Sequence, residues 1–169
     1  MRQLELLAPA KNLECGMAAV DHGADAVYIG ASRFGARAAA GNSVSDIQEL
    51  CTYAHRYGVK VFVTVNTIVY EDELEDTQRL IWDLYRAGAD AILVQDMALL
   101  KMQLPPIALH ASTQTDNRSP EKVNWLLSHG FERVVLAREL SIDEIKRIHQ
   151  QLPHAELEVF VHGALCVSY

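Results

Sequence analysis

Arg86-Ala87-Gly88-Ala89-Asp90-Ala91-Ile92-Leu93-Val94-Gln95-Asp96 decides the fold. A helix ends on a basic residue. A glycine follows, where the chain must turn left-handed at low cost. A short run of Ala, Ile, Leu and Val comes next and stops at a polar pair. A strand that is apolar on both faces is buried on both faces, as in a parallel sheet covered by helices.

Working outward, the same sentence recurs three times. It reads Asp21-His22-Gly23-Ala24-Asp25-Ala26-Val27-Tyr28-Ile29-Gly30, then Arg56-Tyr57-Gly58-Val59-Lys60-Val61-Phe62-Val63-Thr64-Val65, then Ser128-His129-Gly130-Phe131-Glu132-Arg133-Val134-Val135-Leu136-Ala137. The pattern predicts strands at 4–7, 26–29, 60–65, 91–95, 107–110, 133–137 and 157–161. It predicts helices near 12–22, 45–57, 71–87, 97–102, 120–129 and 141–151. Start signals agree: Asn12 is a helix cap, Ser119-Pro120-Glu121 supplies a cap and a first-turn proline, and Ser141 with Glu144 forms a capping box. Strand–helix alternation gives an α/β fold. No Gly-x-Gly-x-x-Gly follows the first strand and no phosphate loop occurs, which disfavours a nucleotide-binding open sheet. The expected fold is a parallel (βα) TIM-barrel-like domain over 1–169. It is incomplete, with about seven strands and six helices, because complete barrels run to about 250 residues.

Composition narrows the function. Half of the 169 residues are apolar and 22% are charged, which fits a globular chain and not a disordered one. The net charge of −7 argues against a free-standing nucleic-acid-binding module. No apolar run approaches the ~20 residues of a membrane span. Three scattered cysteines form no disulfide framework, so the expected compartment is the reducing cytoplasm.

In a barrel, chemistry gathers at the carboxyl ends of the strands. Those ends carry Asn66, Gln95, His110, Gln114, Arg138, Glu139, His162 and Cys166. The glycine- and alanine-rich loop 30–43 brings Arg33 and Arg37, which suit an anion, and Asn66 and Gln95 are candidate substrate contacts. His110 is either a general acid–base group or a core histidine bonded to a neighbouring strand. Arg138 and Glu139 are either catalytic or an internal ion pair. Cys15 and Cys51 read as buried small hydrophobes. Cys166, past a strand end and four residues after His162, is the candidate nucleophile or metal ligand. A lysine-dependent aldolase-type barrel is disfavoured, because Lys60 begins its strand instead of ending it.

Glu158-Val-Phe160-Val-His-Gly163-Ala164-Leu165-Cys166 resembles the opening of the peptidase U32 pattern, Glu-x-Phe-x-x-Gly, then Ser or Ala, a hydrophobic residue and Cys. Glu5–Ala10, His22–Gly30, Val94–Asp96, His110–Asn117 and Val135–Glu139 are similar to the same family. The resemblance implies a TIM-barrel-like protein and a split set of activities. One is the collagenase-like protease of the family name. The other is RNA hydroxylation, on rRNA or tRNA, with an iron–sulfur cluster on four cysteines and, in some members, prephenate as a small-anion hydroxyl source. Cys166 matches a cluster ligand of that motif. The remaining ligands are expected beyond this chain, which resembles the N-terminal part of a longer protein. The full-length protein is then expected to be an enzyme, and this portion alone an inactive or partner-binding piece that holds no cluster. An open barrel would also leave apolar edges at its first and last strands, where self-association is expected.

Overall fold

The computed structural model describes residues 4–31 and 41–163. The chain packs as two compact units, Met1–Ala108 and Leu109–Tyr169.

The first unit carries β1 (Leu7–Ala10), α1 (Leu13–Asp21), β2 (Ala26–Gly30), α2 (Val44–His55), β3 (Lys60–Val65), α3 (Leu74–Arg86) and β4 (Ala91–Val94). Neighbouring strands pair in parallel and in chain order, with Leu7 opposite Ala26, Ala26 opposite Lys60 and Phe62 opposite Ala91. Val27, Val61, Val63, Ile92 and Val94 are fully buried in the sheet, and Ile47, Leu50, Ile81 and Leu84 cover it from the helices.

The repeated glycine sentence now has a mechanism. Gly88 sits at φ 95° and Gly23 at 90°, the left-handed turn that releases each helix into the next strand. The aspartate two residues on ties down the foot of the preceding strand. Asp25 accepts the Leu6 N–H on Oδ2 at 2.8 Å and donates its own N–H to the Leu6 carbonyl at 2.9 Å. Asp90 repeats this on Val61, at 2.7 Å and 2.9 Å. Asp90 Oδ2 also meets His55 Nε2 at 2.9 Å. The Gly-Ala-Asp spacing therefore sets register as well as the turn.

The second unit carries β5 (Ala108–Ala111, starting at the boundary), α4 (Pro120–Ser128), β6 (Arg133–Val135), α5 (Ile142–Gln151) and β7 (Glu156–Glu158). Its strands are parallel too, with His110 opposite Arg133 and Arg133 opposite Glu156. The caps at Asn12, Ser119 and Ser141 form as the sequence requires.

The helix expected at 71–87 is α-helical only over Leu74–Arg86, the strand expected at 133–137 ends at Val135, and three further elements depart from the sequence expectation. The first strand begins at Leu7, three residues late, because β2 fixes its register. Pro9, which reads as a strand stop, is accommodated because β1 stands at the end of the strand order. The helix expected at 97–102 is a 3-10 helix, Met97–Lys101. Pro105 and Pro106 follow closely and withhold the donors a longer helix needs. The last strand ends at Glu158 instead of residue 161, since Phe160 and Gly163 turn toward Arg138.

Candidate functional site

The carboxyl ends of β1 to β4 are built on backbone ties. Buried Asn42 donates from Nδ2 to the carbonyls of Lys11 at 3.1 Å and Gly30 at 2.9 Å, joining the ends of β1 and β2. Arg33 and Arg37 fall outside the described residues. Asn66 and Gln95 directly follow Val65 and Val94, which are register partners, so two half-buried side chains with amide groups stand at adjacent strand ends. Asp96 holds this rim in shape. Its Oδ2 accepts the Val69 N–H and its Oδ1 the Ala98 N–H, both at 2.9 Å.

In the second unit β5 runs into a tight polar turn. The Ser112 carbonyl accepts the Thr115 N–H at 3.0 Å and Asn117 Nδ2 at 2.9 Å. Asn117, fully buried, also donates to the Val135 carbonyl at 2.8 Å, and its own carbonyl accepts the Ala137 N–H at 3.1 Å. Asp116 takes a left-handed φ of 56° to make the turn. Asn117 thus fastens the β5 end to the β6 end. Sequence reasoning passes over it, although an amide within a run of hydroxyl residues after an apolar strand is a turn signal.

His110 lies inside β5, only 5% exposed, across from Arg133. Gln114, half-buried, sits in the 3-10 turn Thr113–Thr115. Glu139 and His162 are exposed. The ion pair at this rim joins Glu139 to Arg118 at 3.3 Å, and Arg118 also engages Asp116. The Asp116 carboxylate, and then Glu139, push the Arg118 pKa further up. Arg138 turns elsewhere. Its guanidinium lies 3.7 Å from the centre of the Phe160 ring. A Cβ on Gly163 would come within 3.3 Å of Arg138 Nη1, so the glycine lets the backbone approach the guanidinium closely.

A second arginine, which sequence reasoning also passes over, lies on β6. Arg133 has a side chain 9% exposed and lies at the start of β6. Its Nε and Nη2 donate to Glu156 Oε2 at 3.2 and 3.1 Å, and Nη1 stands 3.7 Å from Glu158 Oε2. A buried guanidinium demands such partners. A charge at the head of an otherwise apolar strand is the signal that marks it.

The cysteines divide. Cys51 is buried in α2, and burial, with the Asp90 charge adding to it, pushes its thiol from 9.0 up to about 12. Cys15 is exposed, against the expectation of a buried residue, because the first turn of α1 presents it to solvent. Cys166 lies outside the described residues. Among the described residues no three His, Cys, Asp or Glu side chains are grouped to hold a metal. No helix among them is long and apolar enough to cross a membrane.

Parallel strands alternating with helices, glycine-led turns and a polar rim at the strand ends define a TIM-barrel-like protein. The fold matches a solved U32 peptidase with a TM-score of 0.76 at 15% identity, over 94% of this chain and 69% of that one. The chain belongs to peptidase family U32, whose family model matches residues 11–169. It is 57% identical over 99% of its length to a 23S rRNA 5-hydroxycytidine synthase of Escherichia coli, covering 25% of that protein. It is 36% identical over 98% of its length to a tRNA hydroxylation protein of Bacillus subtilis, covering 40% of it. The chain therefore spans between a quarter and two fifths of these relatives.

Proposed function

We propose that this chain is the barrel portion of a protein that hydroxylates an RNA base, with ribosomal RNA as the favoured substrate. The observation that carries this is the 57% identity with the 23S rRNA 5-hydroxycytidine synthase, against 36% with the tRNA hydroxylation protein. Asn66 and Gln95 offer amide donors and acceptors suited to the edge of a pyrimidine. Gln114, Arg138, Glu139 and His162 supply polar groups at the strand ends of the second unit. His110, buried on β5, serves as a hydrogen-bonding or proton-transfer group. Arg33 and Arg37 would take the carboxylates of a prephenate-like anion. The net charge of −7 leaves the basic RNA-binding surface to other parts of the protein.

The four thiolates of an iron–sulfur cluster are not met by this chain. It has three cysteines in all, and Cys51 is held as a buried thiol. Cys166 is the one that fits the family motif. The reducing cytoplasm is the compartment that suits these free thiols. Exposed Leu4 and Leu6 ahead of β1, and Val159 and Val161 after β7, support association through those strand ends.

The test is deletion of the gene, followed by mass spectrometry of rRNA and tRNA nucleosides. Loss of a hydroxylated pyrimidine from rRNA, restored by the gene, is expected. An unchanged nucleoside profile with loss of collagen cleavage would overturn this reading in favour of a peptidase.

A further inference from the structure

Between β4 and β5 the chain makes only the five-residue 3-10 helix Met97–Lys101, where the other crossovers carry α-helices of nine to thirteen residues. A groove of about 790 Å³ runs between this short turn and α3, inside the first unit. Leu74, Trp82, Ala98 and Met102 give it an apolar lining. Trp82 Nε1 donates to the Gln103 carbonyl at 2.9 Å, which fastens α3 to the crossover beside it. The inner face of α3 is occupied by the core, through buried Thr77, Ile81 and Leu84. The groove side carries Glu75, Gln78, Arg79, Trp82 and Arg86. At about 100° per residue these five fall within roughly 100° of the helix surface.

This stripe is complementary to itself when run antiparallel. With a two-fold axis passing between residues 80 and 81, Glu75 stands opposite Arg86 of a second copy, and Arg79 opposite Trp82 of that copy. Symmetry makes each pairing twice. One is a guanidinium–carboxylate pair and the other a guanidinium on an indole face. Within one chain the same arginines make exposed pairs with Asp76 at 3.4 Å and Asp83 at 3.0 Å. Such surface pairs contribute little and leave the arginines available. We propose that the groove seats α3 of a second copy of this chain, in an antiparallel two-fold pair. The second copy then supplies the outer helix that the β4–β5 crossover lacks. Alternating charge is what selects this occupant. Glu75, Asp76 and Asp83 would repel the phosphates of RNA, and a wholly acidic helix would meet Glu75 as a like charge. Only a partner with the same alternation satisfies both signs. One helix pair makes a contact at the small end of the stable range, so a reversible dimer is expected. The inference stands apart from the RNA reading and from association through the strand ends.

Trp82 reports on the groove directly. The chain has two tryptophans, so in a Trp125→Phe background the emission comes from Trp82. Sedimentation velocity across micromolar concentrations is expected to show monomer passing to dimer. Trp82 emission should move to shorter wavelength with the same midpoint. Glu75 and Arg86 are exposed, so circular dichroism of their variants should match the parent. Glu75→Arg and Arg86→Glu each set like charges together twice and should weaken the dimer at least about tenfold. The double variant reverses both signs and should return to within about threefold of the parent. If either swap unfolds the chain, Arg79→Ala decides, because it removes the indole contact without adding charge; weakening of at least about fivefold is expected. A chain that stays monomeric at these concentrations overturns the proposal. So does a dimer that leaves Trp82 emission unmoved, which places association at the strand ends, or a double variant no tighter than the single ones. A Trp82 shift when single-stranded oligocytidylate is added to a monomeric chain assigns the groove to RNA and overturns it likewise.

Discussion

Asn117 is the residue whose loss the second unit should feel most. Its side chain is fully buried. Nδ2 donates to the carbonyls of Ser112 and Val135 at 2.9 and 2.8 Å, and Oδ1 lies 2.7 Å from Thr115 Oγ1. The Thr115 hydroxyl has one hydrogen and is also 2.8 Å from the Ser112 carbonyl, so the third bond is shared. Truncation to alanine removes two amide bonds outright, each worth about 1 kcal/mol net, and leaves a small buried gap; the sum is about 2–3 kcal/mol. Trp82 lies in the first unit and Trp125 in the second. In a Trp82→Phe background, urea unfolding followed by tryptophan fluorescence reads the second unit. Asn117→Asp is a sharper form of the same test. Its carboxylate would face two carbonyl oxygens, so its folded pKa must lie above the unfolded value of about 3.9. A raised folded pKa means this variant is most stable below the unfolded value and loses stability as pH rises through the folded one. A loss for Asn117→Ala below about 1 kcal/mol, or an Asn117→Asp variant whose stability rises with pH above 4, would refute the reasoning.

Gly16→Ala sets propensity against packing. Alanine is the better helix former by about 1 kcal/mol, but its Cβ would lie 2.7 Å from two carbons of the fully buried Leu50. Overpacking costs about 1–3 kcal/mol, so a net loss is expected in thermal unfolding. Asp90→Ala removes the carboxylate that holds the Val61 N–H at 2.7 Å and should lower first-unit stability by about 1–2 kcal/mol, read from Trp82 fluorescence. Cys51, with its thiol pushed up to about 12, should resist alkylation at pH 8 in the native state while Cys15 reacts. Because that folded value is raised above 9.0, the associated stability is complete below pH 9 and is lost as pH rises toward 12, which alkaline unfolding monitored by circular dichroism will show.

The sequence by itself determined the element order, the parallel class and the glycine turns. These are local matters. A left-handed helix exit, a capping serine and a doubly apolar strand are written in a few adjacent residues each. It also determined family membership, through motifs spread along the chain. The ends of β1 and β7 were not legible, because pairing partners distant in sequence set where a strand starts and stops. The candidate site divides in the same way. Asn66, Gln95, His110 and Gln114 could be named because strand ends can be counted. The roles of Arg133, Arg138 and Asn117 could not, since each depends on a group 18 or more residues away that only folding brings within hydrogen-bonding or stacking distance. An arginine reads as one positive charge in any sequence. Whether it pairs with a carboxylate, as Arg133 and Arg118 do, or stacks on a ring, as Arg138 does, is decided by which neighbour the tertiary structure places against it.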